Sequence, residues 1–240
     1  RSGAVAHEFG VGPGLRVSND DWDAGDTVQQ TNDAPVQVSM PAHLGPIGDR
    51  IDRSKPLLPS DLGGDKVLPG EADYDVDLDP KERGTLVHRL LEHLPRAAPQ
   101  DRARLGAQLA PHNHELVADA LALIDAPHLA DIFGTDALTE VDVTAQIRTP
   151  SVRLHGAIDQ LIIEGDRILA VDYKTNRVVP DRPEDTPEGL LRQMGAYHAM
   201  LTEIWPGRTI DVAILWTAEA RLMPMPQALV TTALARATLP

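Results

Sequence analysis

The chain has 240 residues, a length that suits one or two domains, and 42% of them are hydrophobic, which is enough for a sizeable core. The absence of cysteine excludes disulfides, zinc–thiolate sites and iron–sulfur clusters, and no run of about 18 apolar residues could span a membrane. The net charge of −14 argues against tight nucleic-acid binding driven by charge alone.

Residues 1–78 are predicted to form an irregular connector. Residues 1 to about 50 show no sustained hydrophobic period, and a peripheral strand pair is the alternative for them. The chain begins with Arg1 rather than Met and has no visible signal peptide, so we expect a piece of a longer, cytoplasmic protein. The patterned remainder, residues 79–240, is predicted to be the main folded domain.

Three helices are predicted between residues 79 and 125. The first begins with Asp79 as its N-cap and Pro80 in its first turn, and it ends before Pro95. His88 lies on its apolar face, where a histidine is usually a packed core residue; the functional alternative is a metal ligand or a phosphate contact. Helical spacing predicts two further helices at about 100–110 and 113–125.

A strand at 139–147, with Glu140 near its start, precedes a hairpin. Gly165-Asp166 between two β-type runs is typical of a two-residue hairpin loop, which pairs residues symmetrically about the turn. In that register Asp159 faces Asp172, and Lys174 lies on the same side of the sheet as Asp172.

Two facing carboxylates repel each other, so this hairpin needs something that offsets their charge. A divalent cation such as Mg²⁺ would do so, and an adjacent lysine could neutralise a phosphate or hold a water nucleophile. Asp159, Asp172 and Lys174 therefore predict a site for metal-assisted phosphodiester hydrolysis. The alternative is a solvated strand end with an Asp–Lys ion pair.

A fourth helix is predicted from Thr186, as its N-cap, to about residue 205. It carries Gln193 and Tyr197 on one ridge, where they could bind a phosphate or a base; otherwise Tyr197 packs in the core and Gln193 is exposed. A buried strand at 210–216, a short edge strand at 222–225 and a helix at 227–238 complete the pattern. This order predicts an α/β fold with a mixed β-sheet flanked by helices.

Four motifs occur in the order seen in RecB-like PD-(D/E)xK nucleases, which the chain resembles over residues 79–225. They are Gly84-Thr-Leu-Val-His88, Gly156-Ala-Ile-Asp159, Asp172-Tyr-Lys174 and Gln193-Met-Gly-Ala-Tyr197. Within that group the chain is similar to the C-terminal nuclease domain of the AddA family, whose helicase–nuclease complexes process DNA double-strand breaks. The resemblance implies a restriction-endonuclease-like fold and a metal-dependent DNA exonuclease.

The resemblance also implies roles for individual residues. Asp159 and Asp172 would bind Mg²⁺, or Mn²⁺ in its place, with His88 and the main-chain carbonyl of Tyr173 completing the site. Lys174 would orient or activate the attacking water.

Other roles and partners follow from the same resemblance. Gln193 and Tyr197 would shape the site and contact DNA, and Glu140 matches an acidic position as an additional site residue. The implied partners are DNA, an AddB-type subunit and the rest of an AddA helicase chain. ATPase and helicase activity cannot reside in this stretch, because it contains no Gly-x-x-x-x-Gly-Lys-Ser/Thr phosphate loop.

Two other functions remain as alternatives: a stand-alone exonuclease of the same superfamily, and a non-catalytic nuclease-like scaffold that docks a repair partner. The irregular N-terminal stretch argues against the first. The Asp159, Asp172 and Lys174 set argues against the second, because a scaffold without metal has no use for a repulsive pair.

Overall fold

The computed structural model describes residues 3–9, 12–18, 55–70, 79–134, 137–148 and 151–237. The chain divides into two compact units, Arg1–Arg53 and Ser54–Pro240. In the first unit, β1 (Gly3–Phe9) and β2 (Gly12–Ser18) form an antiparallel pair. Much of the predicted connector, residues 1–78, lies outside the described residues, so a domain boundary at residue 79 stays a prediction.

The second unit is an α/β fold in which helices flank a five-stranded mixed sheet, as the order of the elements predicts. The helices are α1 (Pro80–His93), α2 (Pro99–Leu109), α3 (His114–Ile124), α4 (Glu188–Ile204) and α5 (Gln227–Ala235). The strands are β3 (Leu138–Arg148), β4 (Ser151–Glu164), β5 (Arg167–Lys174), β6 (Thr209–Trp216) and β7 (Arg221–Met225). None of the helices in the described ranges combines the length and the apolar character that a membrane-spanning helix requires.

The strands lie side by side in sequence order, from β3 to β7. All neighbours are antiparallel except β5 and β6, which are parallel and therefore need a crossover between them. Helix α4 provides that crossover. This topology places α4 against one face of the sheet, directly behind the strand that ends at Lys174.

Each face of the sheet is covered by its own hydrophobic core. On one face Leu161, Ile168 and Ala170 pack with residues of α4 and α5. On the other face Val171 and Tyr173 pack with residues of α1 and α3. Strands β5 and β6 are buried on both faces, which explains why their sequences are almost continuously apolar.

The predicted hairpin is confirmed between β4 and β5. Gln160 pairs with Val171 and Glu164 with Arg167, which leaves Gly165 and Asp166 as the turn. Gly165 has a φ of +55°, a left-handed conformation that glycine adopts without steric cost.

The helix boundaries confirm one predicted cap and correct another. The Asp79 carboxylate accepts hydrogen bonds from the main-chain N–H groups of Lys81 (2.8 Å) and Glu82 (3.3 Å), so Asp79 is the N-cap of α1. Thr186 does not cap α4, which begins after Pro187 without a side-chain cap. The Thr186 side chain is buried instead, with its hydroxyl 3.9 Å from the sulfur of Met223.

The described part of the connector packs against the sheet and α4. Only the part of β4 nearest the turn pairs with β5, and Leu57 bridges the unpaired edge of β4 beyond it. The Leu57 N–H donates to the Arg153 carbonyl, and the His155 N–H donates to the Leu57 carbonyl, both at 3.0 Å. Leu62 is buried in the core beneath α4. The connector therefore covers the strand edge that the short β5 leaves open.

Close packing of α4 against α5 requires a glycine at position 195, and this generates a stability prediction. A Cβ added to Gly195 would clash with the carbonyl oxygen of Val230, a backbone atom that cannot move alone. We expect Gly195→Ala to lower the free energy of unfolding by about 1–3 kcal/mol, as for other overpacked sites. Urea unfolding measures the change.

Gly84→Ala is the matched control, because Gly84 also lies inside a helix. Its added Cβ would approach nothing closer than the Thr175 hydroxyl oxygen at 3.5 Å. We expect this variant to be neutral or stabilised by up to about 1 kcal/mol. Equal stability of the two variants would show that the α4–α5 contact does not require glycine.

Candidate active site

The site begins where the regular sheet ends, beside Asp159. In the ladder of β3 and β4, paired residues flank Glu140 and Asp159 but skip these two. Glu140 has a φ of +50°, which lies outside the extended region of a strand. Ile158 and Leu161 are three residues apart, yet both side chains enter the same core. The alternation of side chains between the two faces of β4 is therefore interrupted near Asp159. The carboxylates of Glu140 and Asp159 are thereby released from the regular pleat at one point.

Three potential metal ligands meet at this point. One ligand atom each from His88, Glu140 and Asp159 lies within 4.8 Å of the other two. The His88 Nδ1 atom is 3.0 Å from the Asp159 carboxylate, and its Nε2 atom is 3.2 Å from the main-chain carbonyl of Tyr173. The structure thus brings together three residues predicted as ligands, His88, Asp159 and Tyr173, with Glu140, which was predicted only as an additional site residue.

Asp172 and Lys174 form a second cluster beside the first. The Lys174 Nζ atom is 2.5 Å from the buried Asp172 carboxylate, and the Gln193 side-chain amide donates to the same carboxylate at 2.7 Å. The Asp–Lys ion pair that the sequence offered as the alternative is therefore present next to the possible metal ligands.

The expected repulsion between two facing carboxylates is offset within the chain. The recorded pairing of β4 with β5 stops at Gln160 and Val171, one pair before Asp159 and Asp172. Instead, the Asp159 carboxylate accepts the main-chain N–H of Tyr173 at 2.6 Å and contacts His88, whereas Asp172 is bound by Lys174. Each carboxylate thus has its own partners.

Gln193 and Tyr197 are buried between α4 and the sheet, with 6% and 4% exposure. The Gln193 amide also donates to the Tyr197 hydroxyl oxygen (3.2 Å), and the Tyr197 hydroxyl donates to the carbonyl of Ala157 (2.7 Å). These bonds hold the Asp172 carboxylate in place on the side of the sheet that α4 covers. They favour the predicted site-shaping role, and direct contact of the two side chains with DNA stays a prediction.

Gln160 is a supporting residue that the sequence analysis missed. It is 1% exposed; its carbonyl oxygen accepts the Tyr173 hydroxyl (2.9 Å) and its amide donates to the Ile132 carbonyl (2.7 Å). The Tyr173 ring stands edge-on to His88, with ring centroids 5.7 Å apart. A glutamine within the apolar run that follows Ile158 was the available signal, because a buried amide must find partners.

The local charges shift several pKa values. Burial raises the pKa of Asp172, and the Lys174 ammonium partly opposes this shift. Burial and then the Asp159 charge raise the pKa of Glu140. Burial, the largest single cause, lowers the pKa of His88, but the hydrogen bond to Asp159 and the negative charges of Asp159 and Asp172 together outweigh it, so the net shift is upward. For both carboxyl groups burial is the largest cause, and the negative charge of Asp159 adds to it.

An open cleft of about 420 Å³ leads from solvent to the possible metal ligands. Its walls come from α1 and from Glu140 of β3. The lining residues are Gly84, Thr85, His88, Arg89, Glu92 and Glu140. The cleft provides a route by which a substrate could reach His88 and Glu140.

Comparison with known proteins assigns the family. The model of the PD-(D/E)XK nuclease superfamily matches residues 64–229, which is more than half of the chain. The chain belongs to this superfamily. Its sheet and flanking helices are the restriction-endonuclease-like fold of PD-(D/E)XK proteins, as predicted.

Two further comparisons add little about function. The search of curated proteins found no match. A solved structure described as "Crystal structure of SSO0001" is similar over 62% of this chain and 81% of its own, with 16% identity and a TM-score of 0.28. At that TM-score the likeness supports no conclusion.

Nucleases of the PD-(D/E)XK superfamily generally use divalent metal ions, and the residues in this chain fit one. An imidazole nitrogen, carboxylate oxygens and a main-chain carbonyl within one small volume are ligand types that divalent cations accept.

The buried Gln160–Tyr173 hydrogen bond can be tested by a double-mutant cycle. Gln160→Leu leaves the buried Tyr173 hydroxyl without its acceptor and removes the bond to Ile132, so we expect a loss of about 1–3 kcal/mol in unfolding free energy. Tyr173→Phe should also destabilise the protein, and the double variant should lose less than the sum. Denaturant unfolding without metal supplies the values, and strict additivity would show that the two side chains are not coupled.

Proposed function

We propose that this chain is a metal-dependent deoxyribonuclease domain that hydrolyses DNA phosphodiester bonds as an exonuclease. The main support is the convergence of His88, Glu140 and Asp159 at the end of the sheet, next to the Asp172–Lys174 pair. Membership of the PD-(D/E)XK nuclease superfamily supports the same reaction class.

The proposed metal site uses His88, Asp159, Asp172 and the main-chain carbonyl of Tyr173, with Glu140 as a further ligand. The proposed cation is Mg²⁺, and Mn²⁺ should replace it, since a histidine ligand suits transition metals as well. When bound, the cation would lower the pKa of a water and offset charge on the phosphate.

Lys174 is the proposed group that holds the attacking water or a phosphate oxygen. Its ammonium is held by Asp172, its side chain is 18% exposed, and it lies in the second cluster beside the metal ligands. A compact, fixed positive charge at this place stabilises negative charge that develops on a reacting phosphate. Gln193 fixes the Asp172 carboxylate and so fixes the position of the ammonium.

The proposed biological setting is the processing of DNA double-strand breaks by an AddA-type helicase–nuclease. Its support is the order of the four motifs, whereas the match of residues 64–229 supports the nuclease superfamily alone. In that setting the partners are DNA, an AddB-type subunit and the rest of an AddA helicase chain, and the compartment is the cytoplasm. A stand-alone exonuclease of the same superfamily would use the same site.

Cleavage of linear single-stranded DNA with Mg²⁺ or Mn²⁺ tests the proposed reaction. We expect wild type to cleave, and Asp172→Ala and Lys174→Ala to be slower by at least about 100-fold, since each removes a charge that acts on the reacting phosphate or its metal. Asp166→Ala is the control, because Asp166 is an exposed aspartate in the turn of the same hairpin.

The controls separate the alternatives. If wild type binds metal in a way that needs Asp159 and Asp172 but does not cut, the chain is a nuclease domain that needs further subunits, and the scaffold alternative is wrong. If wild type neither cuts nor binds metal, the proposed function is wrong and the Asp–Lys pair is a structural ion pair.

Calorimetric titration with Mn²⁺ tests which carboxylates are ligands. We expect Glu140→Gln and Asp159→Asn each to weaken metal binding by about tenfold or more, because each replaces a charged carboxylate in the ligand cluster by a neutral amide. Asp142→Asn, an exposed position on the same strand, should bind as wild type does. Unchanged binding by Glu140→Gln with loss of binding by Asp172→Asn would remove Glu140 from the site.

A further inference from the structure

Contact between this site and a DNA strand requires positive charge on an accessible surface. Most of the side chains predicted to contact DNA are not accessible to it. Gln193 and Tyr197 are buried, and Lys174 is committed to Asp172. The cleft itself carries Glu92 and Glu140, which repel a polyanion. A cation bound at the site would act on the reacting phosphate, but the neighbouring phosphates need a positive side chain of their own.

Arg89 is the one arginine or lysine among the six residues that line this cleft. It follows His88 directly on α1, so it is placed by the same helix that places a proposed metal ligand. Its side chain is exposed, and among the residues that the structure describes it makes no hydrogen bond or ion pair. Most other described arginines are engaged; Arg102, for example, is bound to Asp125, and Arg167 to Asp211.

The chemistry of a guanidinium group fits a phosphate at this position. Its planar donors can make two parallel hydrogen bonds to one phosphate, and an exposed arginine without a partner has no protein bond to break first. Because His88, Arg89 and Glu140 line the same cleft, a phosphate held by Arg89 would lie near the proposed metal ligands.

On the basis of the proposed nuclease function, we infer that Arg89 binds a backbone phosphate of the substrate strand at the mouth of the cleft. Arg89 is a DNA-binding residue that positions the strand, and it has no part in holding the metal. Because it contacts phosphate rather than bases, its contribution does not depend on sequence.

The test measures binding of a short single-stranded oligonucleotide to the full chain, without metal, at several salt concentrations. We expect Arg89→Ala to weaken binding about tenfold, the size of one charge-assisted contact. The slope of log affinity against log salt should fall by about 0.7, the value for one phosphate on a single strand. Arg89→Lys should keep the slope, because it keeps the charge, but lose part of the affinity.

Arg96→Ala is the matched control. Arg96 is exposed just beyond the end of α1, likewise has no bonded partner among the described residues, and does not line the cleft. Its variant should bind DNA as wild type does. Calorimetry with Mn²⁺ should give wild-type affinity for Arg89→Ala, and cleavage assays should show a raised KM, which a purely structural role would not produce.

The outcomes distinguish this inference from the proposed function. If wild type cleaves DNA but Arg89→Ala has an unchanged KM and salt slope, the inferred role of Arg89 is wrong, whereas the proposed nuclease function is supported. If wild type does not cleave, the metal-free binding comparison still decides on Arg89. A wild-type chain that binds no oligonucleotide, or an equal loss in Arg96→Ala, overturns the inference. Thermal unfolding checks that each variant is folded.

Discussion

At the end of the β4–β5 hairpin, the Asp159 side chain replaces a main-chain hydrogen-bond acceptor. The main-chain N–H of Tyr173 would be left unpaired where the two strands part, and the Asp159 carboxylate accepts it at 2.6 Å. A buried N–H without an acceptor would be costly, so this bond allows the ladder to stop inside a packed structure. It also holds the Asp159 carboxylate within the sheet, close to the main-chain carbonyl of Tyr173.

The two carboxylates at this end are held from opposite faces of the sheet. Helix α1 supplies His88 to Asp159, and helix α4 supplies Gln193 to Asp172. Both helix layers are therefore needed to complete the site, which explains why its residues are spread from position 88 to position 197. The Tyr173–Gln160 bond joins this arrangement to the loop at Ile132, so the supporting contacts reach well beyond the proposed ligands.

Charge in this protein is organised locally. A net charge of −14 opposes DNA binding driven by overall charge. The few positively charged side chains near the site therefore matter individually. Lys174 is held by Asp172, while Arg89 remains exposed at the cleft. Among the residues that line the cleft, Arg89 is therefore the one positively charged side chain available to a strand.

The sequence by itself determined the elements of the main unit, because hydrophobic period and turn chemistry are local properties. The Gly165-Asp166 turn predicted the hairpin register, and Asp79 with Pro80 predicted the start of α1. Motif order was enough to predict the superfamily, which the match over residues 64–229 confirms.

Only the tertiary structure decided which side chains meet. The register predicted that Asp159 and Asp172 face each other, but the pairing of β4 with β5 stops one pair earlier, and each carboxylate has separate partners. Thr186 does not cap α4, because its side chain packs against Met223 instead. Gln160 and Arg89 had no motif to mark them: burial makes one a structural support, and exposure at the cleft leaves the other available for a ligand. These outcomes depend on contacts between distant segments, which local patterns do not contain.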